Sequence, residues 1–212
     1  MTVTIDLSEK LSAGLTALGL MLPSEAQKKM LDYLALLAKW NKVHNLTAVR
    51  ELDDMVTLHL LDSLAVLPHL PKANLLDVGS GAGLPGIPLA LAMPELQVTL
   101  LDSSHKKATF LRQAKAELGL DNLQVVCERV EAYQPASKFH TIISRAFSDV
   151  SEFVRLTQHL LQTNGVWLAM KGVHPYDELA QTPEVTTEVL PLTIPGLDAQ
   201  RHLVVLHRAE KA

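Results

Sequence analysis

The residues best able to do chemistry lie between positions 75 and 102. An apolar run, Leu75-Leu76-Asp77-Val78, leads straight into Gly79-Ser80-Gly81-Ala82-Gly83, followed by Leu84 and Pro85. Glycines at alternate positions permit backbone angles that other residues avoid, and they let a ligand come close to the main chain. Pro85 suits the first turn of a following helix, whose unpaired N–H groups attract a negatively charged ligand group. A second short apolar run, 98–101, ends in Asp102, nineteen positions beyond Gly83. A carboxylate there is placed to accept both hydroxyls of a ribose. Alone, the glycines would make a tight turn and Asp102 a helix cap. Strand, loop, helix, second strand and acid in register instead describe a nucleotide-like site.

Those residues need a frame to hold them. Short apolar runs at 75–78, 98–101, 123–127, 141–144, 166–170 and 203–206 read as strands. Helical patterns fit between them at 85–93, 105–118, 148–161 and 175–181. This alternation predicts an α/β fold, a mainly parallel sheet with helices on both faces. Near 185–190 and 203–206 no helix intervenes, which predicts an antiparallel pair closing one edge. The first seventy residues read as helical instead. Leu7, Leu11, Leu15 and Leu18 recur at helical spacing. Ser24 and Gln27 form a capping box that opens a helix running to about Trp40. After a break at 41–47, a third helix runs over 52–67 and stops at Pro68 and Pro71. The expected division is an N-terminal helical extension, 1–70, and a catalytic domain, 71–212.

A dinucleotide loop has the spacing G-x-G-x-x-G, which would put glycine at position 84. This chain has Leu84 there and its third glycine at 83. With Asp77 ahead of the first glycine, the segment resembles the first motif of class I methyltransferases. The resemblance implies a Rossmann-like sheet and S-adenosylmethionine as cofactor. It also implies that Asp77, Gly79, Gly81, Gly83 and Leu84 surround the methionine end, with Asp77 facing the ammonium directly or through water. Asp102 would hold the ribose.

The fourth strand ends in Ser144-Arg145-Ala146-Phe147-Ser148-Asp149. It lacks the Asn/Asp-Pro-Pro-Tyr/Phe sequence typical of enzymes that methylate exocyclic amines. A cysteine nucleophile for pyrimidine C5 is also missing, because Cys127 falls inside the third strand, where a small buried apolar role is expected. The acceptor is therefore one needing little activation, such as a ring nitrogen with a free lone pair. Positioning alone would then supply most of the catalysis. Residues 40–47 (WNKVHNLT), 59–64 (HLLDSL), 77–90 (DVGSGAGLPGIPLA), 106–111 (KKATFL), 144–146 (SRA) and 170–172 (MKG) together resemble the bacterial RsmG (GidB) family. These strings extend over most of the chain. The resemblance implies methylation of N7 of guanine 527 in the 530 loop of 16S rRNA, within the small ribosomal subunit or its precursor. It places cofactor contacts on Gly79, Leu84, Val130, Glu131 and Arg145. Val130-Glu131 departs slightly from the family's frequent Ala-Glu, and a main-chain contact at Val130 would absorb the change. Arg145, at a central strand tip, is the catalytic candidate; an ion pair with Asp149 is the competing reading.

Composition sets the remaining limits. The 212 residues are 48% hydrophobic and 20% charged, ordinary for a globular chain. One cysteine excludes an internal disulfide framework and a multi-cysteine zinc site. His59 and Asp62 share a helix face, but two ligands do not make a metal site, and none is expected. The start of the chain lacks a secretory pattern, and no apolar run reaches the ~20 residues of a membrane span, so a cytoplasmic protein without membrane contact is expected. A formal charge of −4 argues against binding RNA by charge alone and leaves room for a local basic rim. Its candidates are Lys106, Lys107, Lys171 and Arg201. The first seventy residues carry six Lys/Arg against eight Asp/Glu, which suits a cap better than an RNA arm. Trp40, Phe110 and Phe147 are candidates to stack a base, with Phe110 favoured as core. A methyltransferase acting on a small molecule and a non-catalytic nucleotide- or RNA-binding module are the alternatives. The sequence does not give the oligomeric state.

Overall fold

The computed structural model describes residues 6–71, 73–145, 147, 149–173 and 185–209. The helix expected at 175–181 lies outside the described residues.

Helix α1 (Leu7–Ala17) is capped by Asp6, whose carboxylate accepts the Ser8 N–H at 2.9 Å. Helix α2 (Ser24–His44) starts one residue earlier than the capping box implied. Ser24 is its first helical residue and makes no side-chain cap. Gln27 instead donates its amide to the Leu22 carbonyl at 2.9 Å, tying down the incoming chain. The helix also runs past Trp40 to His44, where Asn45 ends it in a left-handed conformation, φ +48°. The expected third helix is interrupted: α3 (Leu52–Met55) passes into a π-helical turn, Val56–Leu61, and then α4 (Asp62–Leu64). Such turns widen the helix and take carbonyls off the regular ladder.

Beyond position 74 the chain alternates as expected. It runs β1 (Leu75–Val78), α5 (Gly86–Ala92), β2 (Val98–Leu101), α6 (His105–Leu118), β3 (Leu123–Val126), β4 (Phe139–Ser144), α7 (Val150–Thr157) and β5 (Leu161–Lys171). Two more strands, β6 (Val185–Pro191) and β7 (His202–Arg208), complete a seven-stranded sheet in the order β3-β2-β1-β4-β5-β7-β6. Strands β1 to β5 pair in parallel; β7 is antiparallel to both neighbours, slotted between β5 and β6. The antiparallel edge pair is thus present, with the later strand innermost.

Alternating side chains feed two apolar layers. Leu75, Leu100, Ile143 and Leu168 join one face with Leu11, Tyr33, Leu37 and Leu60, so the N-terminal helices share a core with α5 and α6. Leu76, Ile142, Trp167 and Val204 join Phe153 and Val154 of α7 on the other. Buried on both faces, β1 is apolar without alternation apart from Asp77. Register aligns Val78 with Leu101 and Leu101 with Val126, so the ends of β1, β2 and β3 form one rim.

Candidate functional site

Hydrogen bonds to the neighbouring strand set the glycine loop. The N–H groups of Gly79 and Ser80 donate to the Leu101 carbonyl at 2.8 and 3.2 Å. Gly81, at φ +61°, turns its N–H to Asp102 Oδ2 at 2.9 Å. Lys107 Nζ stands 3.5 Å from the same Oδ2, and the other Asp102 oxygen accepts Ser104 N–H at 2.9 Å. Asp102 therefore braces the loop, and Ser104, not Asp102, caps α6.

Three adjoining cavities open along the strand tips. The first, about 400 Å³, is lined by Gly79, Asp102, Lys107, Val130, Glu131 and Phe147 among others. A second, about 240 Å³, includes Thr47, Gly79, Gly81, Leu84, Lys107 and Arg145. The third, about 400 Å³, includes Leu58, His59, Asp62, Arg145, Lys171 and Arg201. Gly79 and Lys107 belong to the first two, and Arg145 to the last two, so the three form one trough with Arg145 as the divide. Ion-binding and nucleotide-binding sites of open α/β sheets lie at such carboxyl ends. Glu131 is exposed, and hydrogen bonding to its own backbone holds its carboxyl below the usual range.

Two expected contacts lie under the trough instead of facing it. Asp77 is fully buried, and its Oδ2 accepts the Gly86 N–H at 2.9 Å. Burial pushes its carboxyl up to about 7, a rise opposed by that hydrogen bond and by the charge of Arg145. The helix N–H expected to attract a ligand anion is thus already bonded to Asp77. Gly83, at φ +93°, is also buried, and a Cβ there would stand 2.5 Å from Ile87 and 3.0 Å from Leu111. Its role is close packing of loop on helix. Cys127 corrects a third expectation: it lies past the end of β3, partly exposed, with Sγ 3.5 Å from His105 Nδ1. Phe110 is in the core as expected, against Tyr33 and Trp40, while Phe147 packs on Phe153 beside the first cavity.

Arg145 reaches away from Asp149, which caps α7. Its Nη1 donates to the Leu58 carbonyl, in the π-helical turn, and to Asp62 Oδ2, both at 3.2 Å. Asp62 Oδ1 accepts Arg201 Nε at 2.9 Å. Beside them His59 is buried, which lowers its imidazole to about 4, and its Nε2 lies 2.9 Å from Thr47 Oγ1. Lys171 Nζ donates to the Phe147 carbonyl at 3.2 Å, and Lys106 Nζ to the His44 carbonyl at 2.7 Å. Sequence reasoning noted Asp62 and gave it no chemistry, and it missed Tyr33. The Tyr33 hydroxyl donates to the Ala82 carbonyl at 2.8 Å, fixing the glycine loop from α2. The spacing of His59 and Asp62 was the one advance signal of Asp62, and nothing local pointed to Tyr33. Among the described residues no cluster of His, Cys, Asp and Glu could hold a metal ion, and no helix is long and apolar enough to cross a membrane.

Comparison with known proteins agrees with this geometry. The solved O-methyltransferase from Bacillus cereus, in complex with SAH, superposes with a TM-score of 0.61 over 95% of this chain and 100% of its own, at 16% identity. The fold is thus the Rossmann-like fold of class I methyltransferases. The ribosomal RNA small subunit methyltransferase G of Methylobacillus flagellatus is 62% identical over 94% of this chain and 98% of its own length. The protein of that name from Laribacter hongkongensis is 57% identical, over 95% and 99%. Residues 26–204 match the profile of the GidB family, described as rRNA small subunit methyltransferase G. With strand tips, glycine loop and basic third cavity in place, the chain belongs to the GidB family of rRNA small subunit methyltransferases.

Proposed function

We propose that this protein transfers the methyl group of S-adenosylmethionine to N7 of guanine 527, in the 530 loop of 16S rRNA. The observation that carries the reading is the divided trough: a nucleotide-sized cleft over the glycine loop meets, at Arg145, a second cavity lined by Lys171 and Arg201. The names of the relatives supply the substrate class, small subunit rRNA. Bound in the cleft, the cofactor supplies an electrophilic methyl on a sulfonium.

The chain's own groups then have these roles. Asp102 accepts the ribose hydroxyls, and the Val130 main chain with Glu131 frames the adenine edge. The backbone at Gly79, Gly81 and Leu84 receives the methionine end. Asp77 and Gly83 act from beneath, holding α5 to the loop. Lys107, drawn in by Asp102, serves the cleft as well as the phosphates; Lys106, Lys171 and Arg201 face the RNA. Guanine N7 carries a lone pair and no proton, so no general base is needed. Consistent with that, burial lowers the neighbouring His59 to about 4 and leaves it a weak base. Catalysis consists of aligning acceptor and methyl, and Arg145 is the residue between them. Residues 1–70 form the cap that closes this trough over a catalytic domain, 71–212, and the enzyme works in the cytoplasm, where its ribosomal substrate is.

The test is transfer of labelled methyl to small-subunit particles lacking the modification, with mass mapping of the product base. Label at N7 of guanine 527 is expected. Label on small molecules alone, or none on RNA, overturns the reading.

A further inference from the structure

Among the described residues that line the third cavity, Asp62 is the one acid, set among Arg145, Lys171 and Arg201. Asp62 is buried, its side chain 4% exposed, while Arg145 and Arg201 are 29% and 26% exposed around it. One carboxylate oxygen takes Arg145 Nη1 at 3.2 Å and the other takes Arg201 Nε at 2.9 Å. The three residues come from three elements. Asp62 follows the π-helical turn, Arg145 follows β4 and Arg201 precedes β7. A guanidinium has five N–H donors in a rigid fork, so fixing one of them by a carboxylate aims the others. Both arginines line this cavity along with Lys171, and backbone carbonyls hold them further: Arg145 Nη1 also bonds Leu58 and Arg201 Nη1 bonds Gln200 at 2.9 Å.

Charge points the same way. Methyl transfer from a sulfonium to a neutral ring nitrogen breaks the S–CH3 bond and forms N–CH3, carrying the positive charge from sulfur to the acceptor. Arg145, Lys171 and Arg201 alone would attract an RNA phosphate yet oppose that arriving charge. A buried carboxylate between two of them offsets one charge where screening by water is weak. Breaking such a pair from one side leaves an uncompensated buried charge, so the arrangement is held tightly.

Resting on the rRNA reading above, we propose that Asp62 is a positioning residue: it locks Arg145 and Arg201 as the two sides of the seat for the acceptor nucleotide.

The test uses the full chain, undermethylated small-subunit particles and labelled S-adenosylmethionine. Asp62→Asn is expected to lower kcat/KM for particles on the order of 100-fold, the cost of a misplaced reactant, with cofactor affinity by calorimetry unchanged. Asp62→Glu restores part of the rate. In an Arg201→Ala background, adding Asp62→Asn costs less than it does alone, because only the pair with Arg145 is left to lose and residues acting as a unit are not additive. Should Asp62→Asn fail to fold, Arg201→Lys keeps the charge without the fork and carries the same expectation at near-native Tm. A full rate in folded Asp62→Asn, or in Arg201→Lys, overturns the proposal. So do losses that multiply in the double variant, or a parallel fall in cofactor affinity and Tm. If the wild-type protein leaves particles unmethylated, the rRNA reading itself fails. The anchor is then read by NMR: a protected Arg201 Nε–H that is lost in Asp62→Asn supports it, and an unprotected one overturns it.

Discussion

Replacing Asp77 by Asn removes a buried ionisable group and keeps its shape. Its carboxyl is raised from 3.8 to about 7, chiefly by burial, so the folded protein holds that proton more tightly than the unfolded chain does. The resulting stability is fully present below the unfolded value and is lost as pH rises through the folded one. At 1.36 kcal/mol per pKa unit, about three units amount to roughly 4 kcal/mol. The asparagine variant has no such dependence, so its stability relative to wild type climbs with pH and levels off once Asp77 is ionised. Between about pH 5 and pH 8 the difference should grow by about 3 kcal/mol, because part of the loss lies below that window. Urea titration of both proteins across the window, followed by circular dichroism, gives that difference directly. A difference that stays flat refutes the reasoning, and one of opposite slope means that the Gly86 hydrogen bond and Arg145 outweigh burial.

Two further outcomes follow from the loop's supports. Tyr33→Phe leaves the buried Ala82 carbonyl without its 2.8 Å partner, which should cost about 1–3 kcal/mol in urea unfolding and weaken cofactor binding measured by calorimetry. Gly81→Val and Gly86→Ala should separate. A Cβ at Gly81 has only Gly79 O, at 3.9 Å, nearby, so valine there should abolish cofactor binding for about 1–2 kcal/mol of stability, from its positive φ. At Gly86 a Cβ would stand 2.2 Å from Leu100 and 2.8 Å from Asp77 Oδ2, so alanine should lower stability by about 1–3 kcal/mol before any effect on binding is seen. Cofactor binding retained in Gly81→Val, or lost in Gly86→Ala at unchanged stability, would contradict this division.

The parts legible in the sequence are those written locally. Helix α6 was bounded at both ends by Asp102-Ser103-Ser104 and Gly119, and it runs over His105–Leu118 as expected. Strand β1 and its glycine loop announced themselves by an apolar run meeting alternate glycines. Local signals also misled. Ser24 has a cap's sequence, yet Pro23 already fixes the chain entering α2, and Gln27 bonds Leu22. Asp77 has the position of a ligand contact, but the depth of a strand end depends on what packs over it, and here α5 does. The Asp62 pairs were invisible for another reason. They join residues 83 and 139 positions apart, and no local pattern records which side chains the topology brings together. Likewise the strand spacing gave an edge hairpin without revealing that its second strand is the one inserted beside β5.

The late position of Arg201 also orders the site in time. During synthesis the chain emerges from the N-terminus, and every residue bracing the glycine loop, from Tyr33 to Lys107, is made before β4. The cavity beyond Arg145 must wait for position 201 and the antiparallel strand that follows it. A growing chain can therefore shape its cofactor cradle while the acceptor seat is still open on one side. The residues proposed to cradle a methyl donor are thus synthesised before the last of those proposed to seat its acceptor.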